Sequence, residues 1–255
     1  MKFVLRHINK FLAAKSTVDY YAAIYPQIKY KTEVMPTSAV PTELFKPMNK
    51  VLLRRKYRIN QESKLVIFVG RVEKIKNLEF LIRSFALVKG KLPNAKLVIV
   101  GRGSPSYIKH LQKLAKNLNI GEEIIFLGER RYDEIPEILN CADVMALCSL
   151  TEGSPTVVRE ALACGVPVVS TDVGDVKMII RNKYVGRIVE EDEKKFAEAI
   201  IDMLNVNAEV VREECVKLIK ELKLDFESLG EKILSVYCEM LQQQMKFNDL
   251  RRCKS

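Results

Sequence analysis

The segment Thr151–Leu162 reads Thr-Glu-Gly-Ser-Pro-Thr-Val-Val-Arg-Glu-Ala-Leu, with two carboxylates, Glu152 and Glu160, eight positions apart around a Gly-Ser-Pro step. Pro155 suits the first turn of a helix, where the N–H it lacks would have no partner. Ser154 suits the N-cap of that helix. Glu152 then lies in the loop feeding the helix, with Glu160 roughly 7–8 Å along the axis from its start. That is the reach from a phosphate docked on a helix N-terminus to the sugar of the same nucleotide. Val157, Val158, Ala161 and Leu162 form an apolar stripe, while Thr156, Glu160 and Ala163 share another face and turn Glu160 toward a cleft. Two other readings stand beside this one. The carboxylates suit the acid–base pair of a glycosidase, or they are solvated acids, Glu152 complementing the helix dipole.

Cations accompany them. The loop Gly70-Arg71-Val72-Glu73-Lys74-Ile75-Lys76-Asn77 follows an apolar run. Gly70 lets the backbone turn tightly or approach a ligand. Arg71 presents a planar fork suited to phosphate, and Lys76 adds a charge at a helix start, a combination that can hold a diphosphate. The bland alternative is an exposed basic loop. Gly101-Arg102-Gly103-Ser104-Pro105-Ser106 is close to the dinucleotide fingerprint, but Ser106 stands where its third glycine belongs, and the segment follows the second strand rather than the first. It reads better as a tight turn that brings backbone N–H groups near a ligand. No Ser-His-Asp or Cys-His set emerges, and His110, between Lys109 and Leu111, reads as a surface residue.

The elements that must carry these loops alternate. Apolar runs at 65–69, 97–100, 123–128, 144–147, 166–170 and 186–189 read as strands buried on both faces. Between them lie helical patterns near 78–88, 108–118, 134–140, 155–163 and 175–181, with another from 192; Asn77 suits the N-cap of the first. Lys50–Ile59 reads as a basic helix. Strand–helix units of this length predict a doubly wound parallel α/β sheet, with ligands outside the carboxyl ends of the strands. Residues 1–48 hold one short strand (10–15), one helix (16–25) and a connector carrying Pro36, Pro41 and Pro47, too little for a core of its own. Phe226, Leu229, Ile233, Val236, Tyr237, Met240 and Leu241 trace a helical stripe expected to pack on the sheet or on a partner, before a frayed basic tail at 251–255.

Bulk properties limit the function. A 255-residue chain with 48% hydrophobic residues has ample core, and a net charge of +10 favours an anionic partner: nucleotide phosphates, nucleic acid or an anionic membrane surface. The basic residues are scattered without aromatic interleaving, which argues against nucleic acid. Six cysteines without a C-x-x-C pair argue against a zinc site or a disulfide framework; Cys141, Cys148 and Cys164 sit among apolar residues, as buried reduced thiols of a cytosolic protein would. No run approaches the ~18 apolar residues of a membrane span, and charge interrupts Met1–His7 too early for a signal peptide.

Together these residues resemble the C-terminal, donor-binding domain of the GT-B fold retaining glycosyltransferases of family 4. The likeness is close over 64–205 and looser over 8–48 and 206–245. Its most specific part, Glu152 to Gly174, resembles the family's E-x7-E segment and the G-x-P-V-V strand after it, and Gly70–Asn77 resembles its Gly-Arg…Lys phosphate loop. The resemblance implies a Rossmann-like donor domain at 49–206, preceded at 1–48 by the end of an acceptor domain plus a linker, and followed at 207–255 by helices that pack back. Most of the N-terminal domain, with its acceptor-side histidine, would then lie outside this chain. The implied activity is retaining transfer from a UDP- or GDP-sugar to a glycan, lipid or small molecule through an oxocarbenium-like state, with neither metal nor protein nucleophile. Arg71 and Lys76 would bind the diphosphate, Glu160 the ribose hydroxyls, and Glu152 with Gly153, Ser154, Pro155 and Thr156 the sugar or phosphate, while Gly70, Gly101 and Gly103 edge the pocket. A separate acceptor-binding subunit or an oligomer, a cytoplasmic location and peripheral contact with the inner membrane face complete the expectation. Asp175 departs from the family, which usually has a second glycine there; an acid could narrow the loop or cap the helix that follows.

Overall fold

The six apolar runs form one parallel sheet because helices cover both of its faces. In the computed structural model, which describes residues 10–13, 15–35 and 39–252, the chain runs β1 (Phe11–Ala13), α1 (Lys15–Ile24), β2 (Thr32–Val34), α2 (Lys50–Lys56), β3 (Lys64–Val69), α3 (Leu78–Lys91), β4 (Ala95–Val100), α4 (Pro105–Asn117), β5 (Ile124–Gly128), α5 (Ile135–Cys141), β6 (Val144–Leu147), α6 (Thr156–Ala163), β7 (Val168–Thr171), α7 (Val176–Ile179), β8 (Gly186–Val189), α8 (Glu193–Asn205), α9 (Ala208–Glu221) and α10 (Phe226–Arg252). The start at Met1–His7, the connector residues Pro36–Ser38 and Cys253–Ser255 of the basic tail lie outside the described residues.

The main sheet has the order β5-β4-β3-β6-β7-β8, all parallel. Leu65, Val66, Ile67 and Phe68 of β3 are each at most 2% exposed, as expected for a central strand covered on both sides. The helices sort into two sets by contact: α3 with α4 and α8, and α6 with α5 and α9, α2 joining α5. β1 and β2 form a separate parallel pair, where Phe11, Tyr21 and Tyr25 pack around Ala22 and Ile28. The connector then joins the main core, where Phe45 is fully buried and the Val40 amide donates to the Leu224 carbonyl at 2.8 Å.

Two local readings need correction. The basic helix was expected to reach Ile59 but ends at Lys56, and Arg58 turns the chain with φ 54°. Asp143 fixes its direction, accepting from Arg54 Nη2 at 2.8 Å and from the Leu65 amide at 2.7 Å. Asn77 precedes α3 but does not cap it with its side chain. Its backbone is left-handed, and its amide donates instead to Glu191 at 2.7 Å. The C-terminal stripe, expected to pack on the sheet or on a partner, is largely open within this chain: Val236 is buried, but Phe226, Tyr237 and Leu241 are each more than half exposed.

Candidate functional site

Neighbouring strands whose following helices go to opposite faces leave a crevice at their carboxyl ends. Here that reversal lies between β3, which leads to α3, and β6, which leads to α6. The loops flanking it are the two singled out in the sequence. Lys76 Nζ donates to Glu152 Oε1 at 2.5 Å, and the Ser149 hydroxyl donates to the same oxygen at 2.7 Å. The backbone ties the loops further: the Leu150 amide donates to the Ile75 carbonyl at 2.9 Å, and Cys148 Sγ to the Lys76 carbonyl at 3.0 Å. Both charged side chains are mostly shielded, at 17% and 15% exposure, so solvent screens this pair less than a surface one.

Helix α6 forms because Val158, Ala161 and Leu162 bury against the sheet and Pro155 presets the turn. Pro155, not Ser154, occupies the N-cap, and Ser154 is diverted: its hydroxyl donates to Asp175 Oδ2 at 2.8 Å. Asp175 does not cap α7 either. It pairs with Arg159 Nη2 at 2.5 Å, both residues being more than nine-tenths buried. Gly174, with φ 56°, lets this loop touch the other, since a Cβ there would stand 2.5 Å from the Gly153 carbonyl oxygen.

Glu160 sits inside the fold rather than in solvent, at 7% exposure, and accepts from the Tyr132 hydroxyl at 3.1 Å. Burial pushes its carboxyl above the ordinary glutamate range, opposed by the Tyr132 hydrogen bond. Desolvation and the facing carboxylate push the Tyr132 phenol up to about 12. The two carboxylates thus have different companions, a cation for Glu152 and a phenol for Glu160.

The remaining predicted residues divide. Arg71 is 71% exposed and pairs with Glu73 Oε1 at 3.0 Å, separate from Lys76 and Glu152. It lines a cleft of about 1130 Å³ with Lys74, Arg102, Gly103, Tyr107 and His110. His110 is exposed, its ring stacked on Tyr107. Gly101 serves backbone packing: at φ +144°, a Cβ there would lie 1.8 Å from the Gly70 carbonyl oxygen. Gly153 and Thr156 are exposed at the loop and helix start. Sequence reasoning missed Tyr132, Ser149 and the Arg159–Asp175 pair. The pair had a signal, an arginine flanked at helical spacing by Pro155, Leu162 and Ala163, but nothing local indicated its partner. Cys141, Cys148, Cys164 and Cys215 are buried free thiols. Among the described residues no group of three or more His, Cys, Asp or Glu side chains is placed to hold a metal ion, and no helix is long and apolar enough to cross a membrane.

A parallel sheet of this order, with ionic loops meeting at its reversal point, is the Rossmann-like α/β half of the GT-B fold. Sucrose-phosphate synthase from Thermosynechococcus elongatus superposes with a TM-score of 0.82 at 20% identity, over 95% of this chain and 61% of that one. HepE from Anabaena in complex with UDP superposes at 0.80 and 20% identity, over 93% and 66%. In sequence, the D-inositol 3-phosphate glycosyltransferase of Mycobacterium marinum is 31% identical over 173 residues, 66% of this chain and 36% of its own length. Residues 49–224 match the family described as glycosyl transferases group 1, and the chain belongs to that family. It spans between 35% and 53% of the length of curated relatives it matches.

Proposed function

We propose that the crevice between β3 and β6 holds a nucleoside-diphosphate sugar, of UDP or GDP type, and that the chain supplies the donor half of a retaining glycosyltransferase. The observation that carries this reading is the meeting of Lys76 and Glu152 at the reversal point, with Glu160 buried one helical segment further on. Lys76 and, after leaving Glu73, Arg71 neutralise the diphosphate as it departs. Backbone N–H groups of Gly153, Ser154 and Thr156 meet phosphate or sugar at the start of α6. Glu160 accepts the ribose hydroxyls, and Glu152 stands by the donor sugar, its charge stabilising an oxocarbenium-like state on one sugar face. HepE, a fold neighbour, was crystallised with UDP, which supports a uridine donor.

A second reading rests on length. The chain spans about half or less of the curated relatives it matches, and we infer that acceptor recognition comes from residues outside this sheet, whether of the same polypeptide, a separate subunit or a second copy. The sheet alone would then bind donor without transferring sugar until those residues are supplied. The net charge of +10 suits peripheral contact with an anionic membrane surface on the cytoplasmic side. Incubating the chain with UDP- and GDP-sugars and a protein-free cell extract as the source of acceptor, then with whole extract as the source of partner, each against extract without the chain, separates these readings. Nucleoside diphosphate released with an α-configured product from an α-linked donor supports retaining transfer; release only with whole extract supports the second reading; no release under either condition contradicts both.

A further inference from the structure

Among the described residues Tyr132 is the one side-chain donor to Glu160, and it comes from a loop that no motif marks. Its hydroxyl lies 3.1 Å from Glu160 Oε1. Two features fix it there. Its backbone sits in a 3₁₀ turn, Tyr132–Glu134, closed by the Arg131 amide donating to Glu134 Oε2 at 3.0 Å. Its ring packs at 5.3 Å centroid distance, tilted by 56°, on Phe45, which is itself fully buried. Although Tyr132 is 53% exposed, its 3₁₀ backbone and its ring contact with Phe45 anchor the phenol, which in turn holds a carboxylate.

We propose that Tyr132 is a positioning residue for the nucleotide ribose: it fixes the rotamer of Glu160, so that the remaining acceptor positions of the carboxylate face the ribose diol. This inference rests on the nucleotide-sugar reading given above. The count of lone pairs supports it. An ionised carboxylate has about four acceptor positions, and one phenol fills one of them, leaving enough for two ribose hydroxyls. Electrostatics agrees: a buried carboxylate without a donor tends to take up a proton and lose acceptor capacity, and the phenol opposes that tendency. A tyrosine that merely filled space would do equally well as phenylalanine, whereas a positioning one would not.

The test separates the ribose contribution from everything else. Binding of UDP and of GDP is measured by calorimetry for the full chain and for Tyr132→Phe, each nucleotide beside its 2′,3′-dideoxy counterpart. Tyr132→Phe keeps the ring against Phe45, and its thermal unfolding midpoint should fall by only about 2–4 °C, the loss of one hydrogen bond. The native chain should prefer the ribose form about tenfold or more, the loss expected when hydrogen bonds to a charged group disappear. In Tyr132→Phe that preference should shrink to about threefold or less, with affinity for the dideoxy form unchanged. An undiminished ribose preference in the variant overturns the role of Tyr132 while leaving the donor site intact. Equal binding of ribose and dideoxy forms by the native chain overturns the role of Glu160 and this inference with it. No nucleotide binding by the native chain sinks the donor-site reading itself.

Discussion

Lys76 Nζ and Glu152 Oε1 meet at 2.5 Å although 76 residues separate them, bridging the two strands between which the sheet reverses. Neither residue needs the other for folding, since backbone hydrogen bonds already join their loops. On the proposed function the pair divides its work. Lys76→Met should weaken UDP binding about tenfold to a hundredfold, the loss of a charge-assisted hydrogen bond. Glu152→Gln should leave UDP affinity near that of the native chain and reduce the extra affinity that the sugar of a UDP-sugar provides. Competition titrations of UDP against UDP-glucose and UDP-N-acetylglucosamine, run for all three proteins, check both outcomes.

Glu160 carries a cost. Its pKa is raised by burial, so the folded chain binds this proton more tightly than the unfolded chain does. The ionised group therefore destabilises the fold at neutral pH, and that penalty fades as pH falls through the raised pKa. Glu160→Gln keeps an oxygen for the Tyr132 hydroxyl and removes the buried charge. It should gain about 1 kcal/mol of stability at pH 7 while losing affinity for UDP, the trade common at binding sites. Urea unfolding at pH 7 and pH 5 should show the gain smaller at the lower pH.

The buried pair of Arg159 and Asp175 should behave asymmetrically. Asp175→Gly removes the carboxylate and strands Arg159, which is 1% exposed. The single variant should lose about 3–5 kcal/mol. The double variant Asp175→Gly/Arg159→Leu should recover most of it, because Arg159 Nε and Asp175 Oδ1 already lack hydrogen-bond partners among the described residues. Chemical denaturation of the two singles and the double yields the coupling directly.

Two glycines near the crevice should part company. Gly101→Ala drives a Cβ into the Gly70 carbonyl at a left-handed φ and should cost about 3 kcal/mol or more. Gly153→Ala meets nothing within 4 Å and should leave stability within ~0.5 kcal/mol of the native value. Thermal melts separate the two, and any loss of nucleotide binding in Gly153→Ala then reports on the ligand rather than on the fold.

The sheet was legible because strands covered on both faces must be apolar without interruption, and the runs at 65–69 and 97–100 leave no other reading. The crevice was legible for a related reason: alternation forces a reversal somewhere, and the two charged loops follow strands that end beside it. What stayed hidden was pairing across loops. Ser154 has the chemistry of an N-cap and lost that role to a carboxylate 21 positions away, which only the folded chain brings near. Tyr132 reaches Glu160 from 28 positions away in a loop with no pattern of its own. Gly101 was read as part of a tight turn near a ligand, and nothing local showed that a Cβ there would also strike the Gly70 carbonyl. The stripe on α10 was correct as a periodicity, but periodicity cannot say what covers a face, and most of this one is open.

On the proposed function, the crevice between β3 and β6 binds a nucleoside diphosphate through Lys76 and Glu160. The decisive measurement is calorimetric titration of the native chain with UDP, GDP and ADP, repeated on Lys76→Met and Glu160→Gln. Saturable one-to-one binding of UDP or GDP, weakened about tenfold or more in each variant, is the predicted result. Absence of binding to any of the three, or binding that both variants leave unchanged, would contradict it.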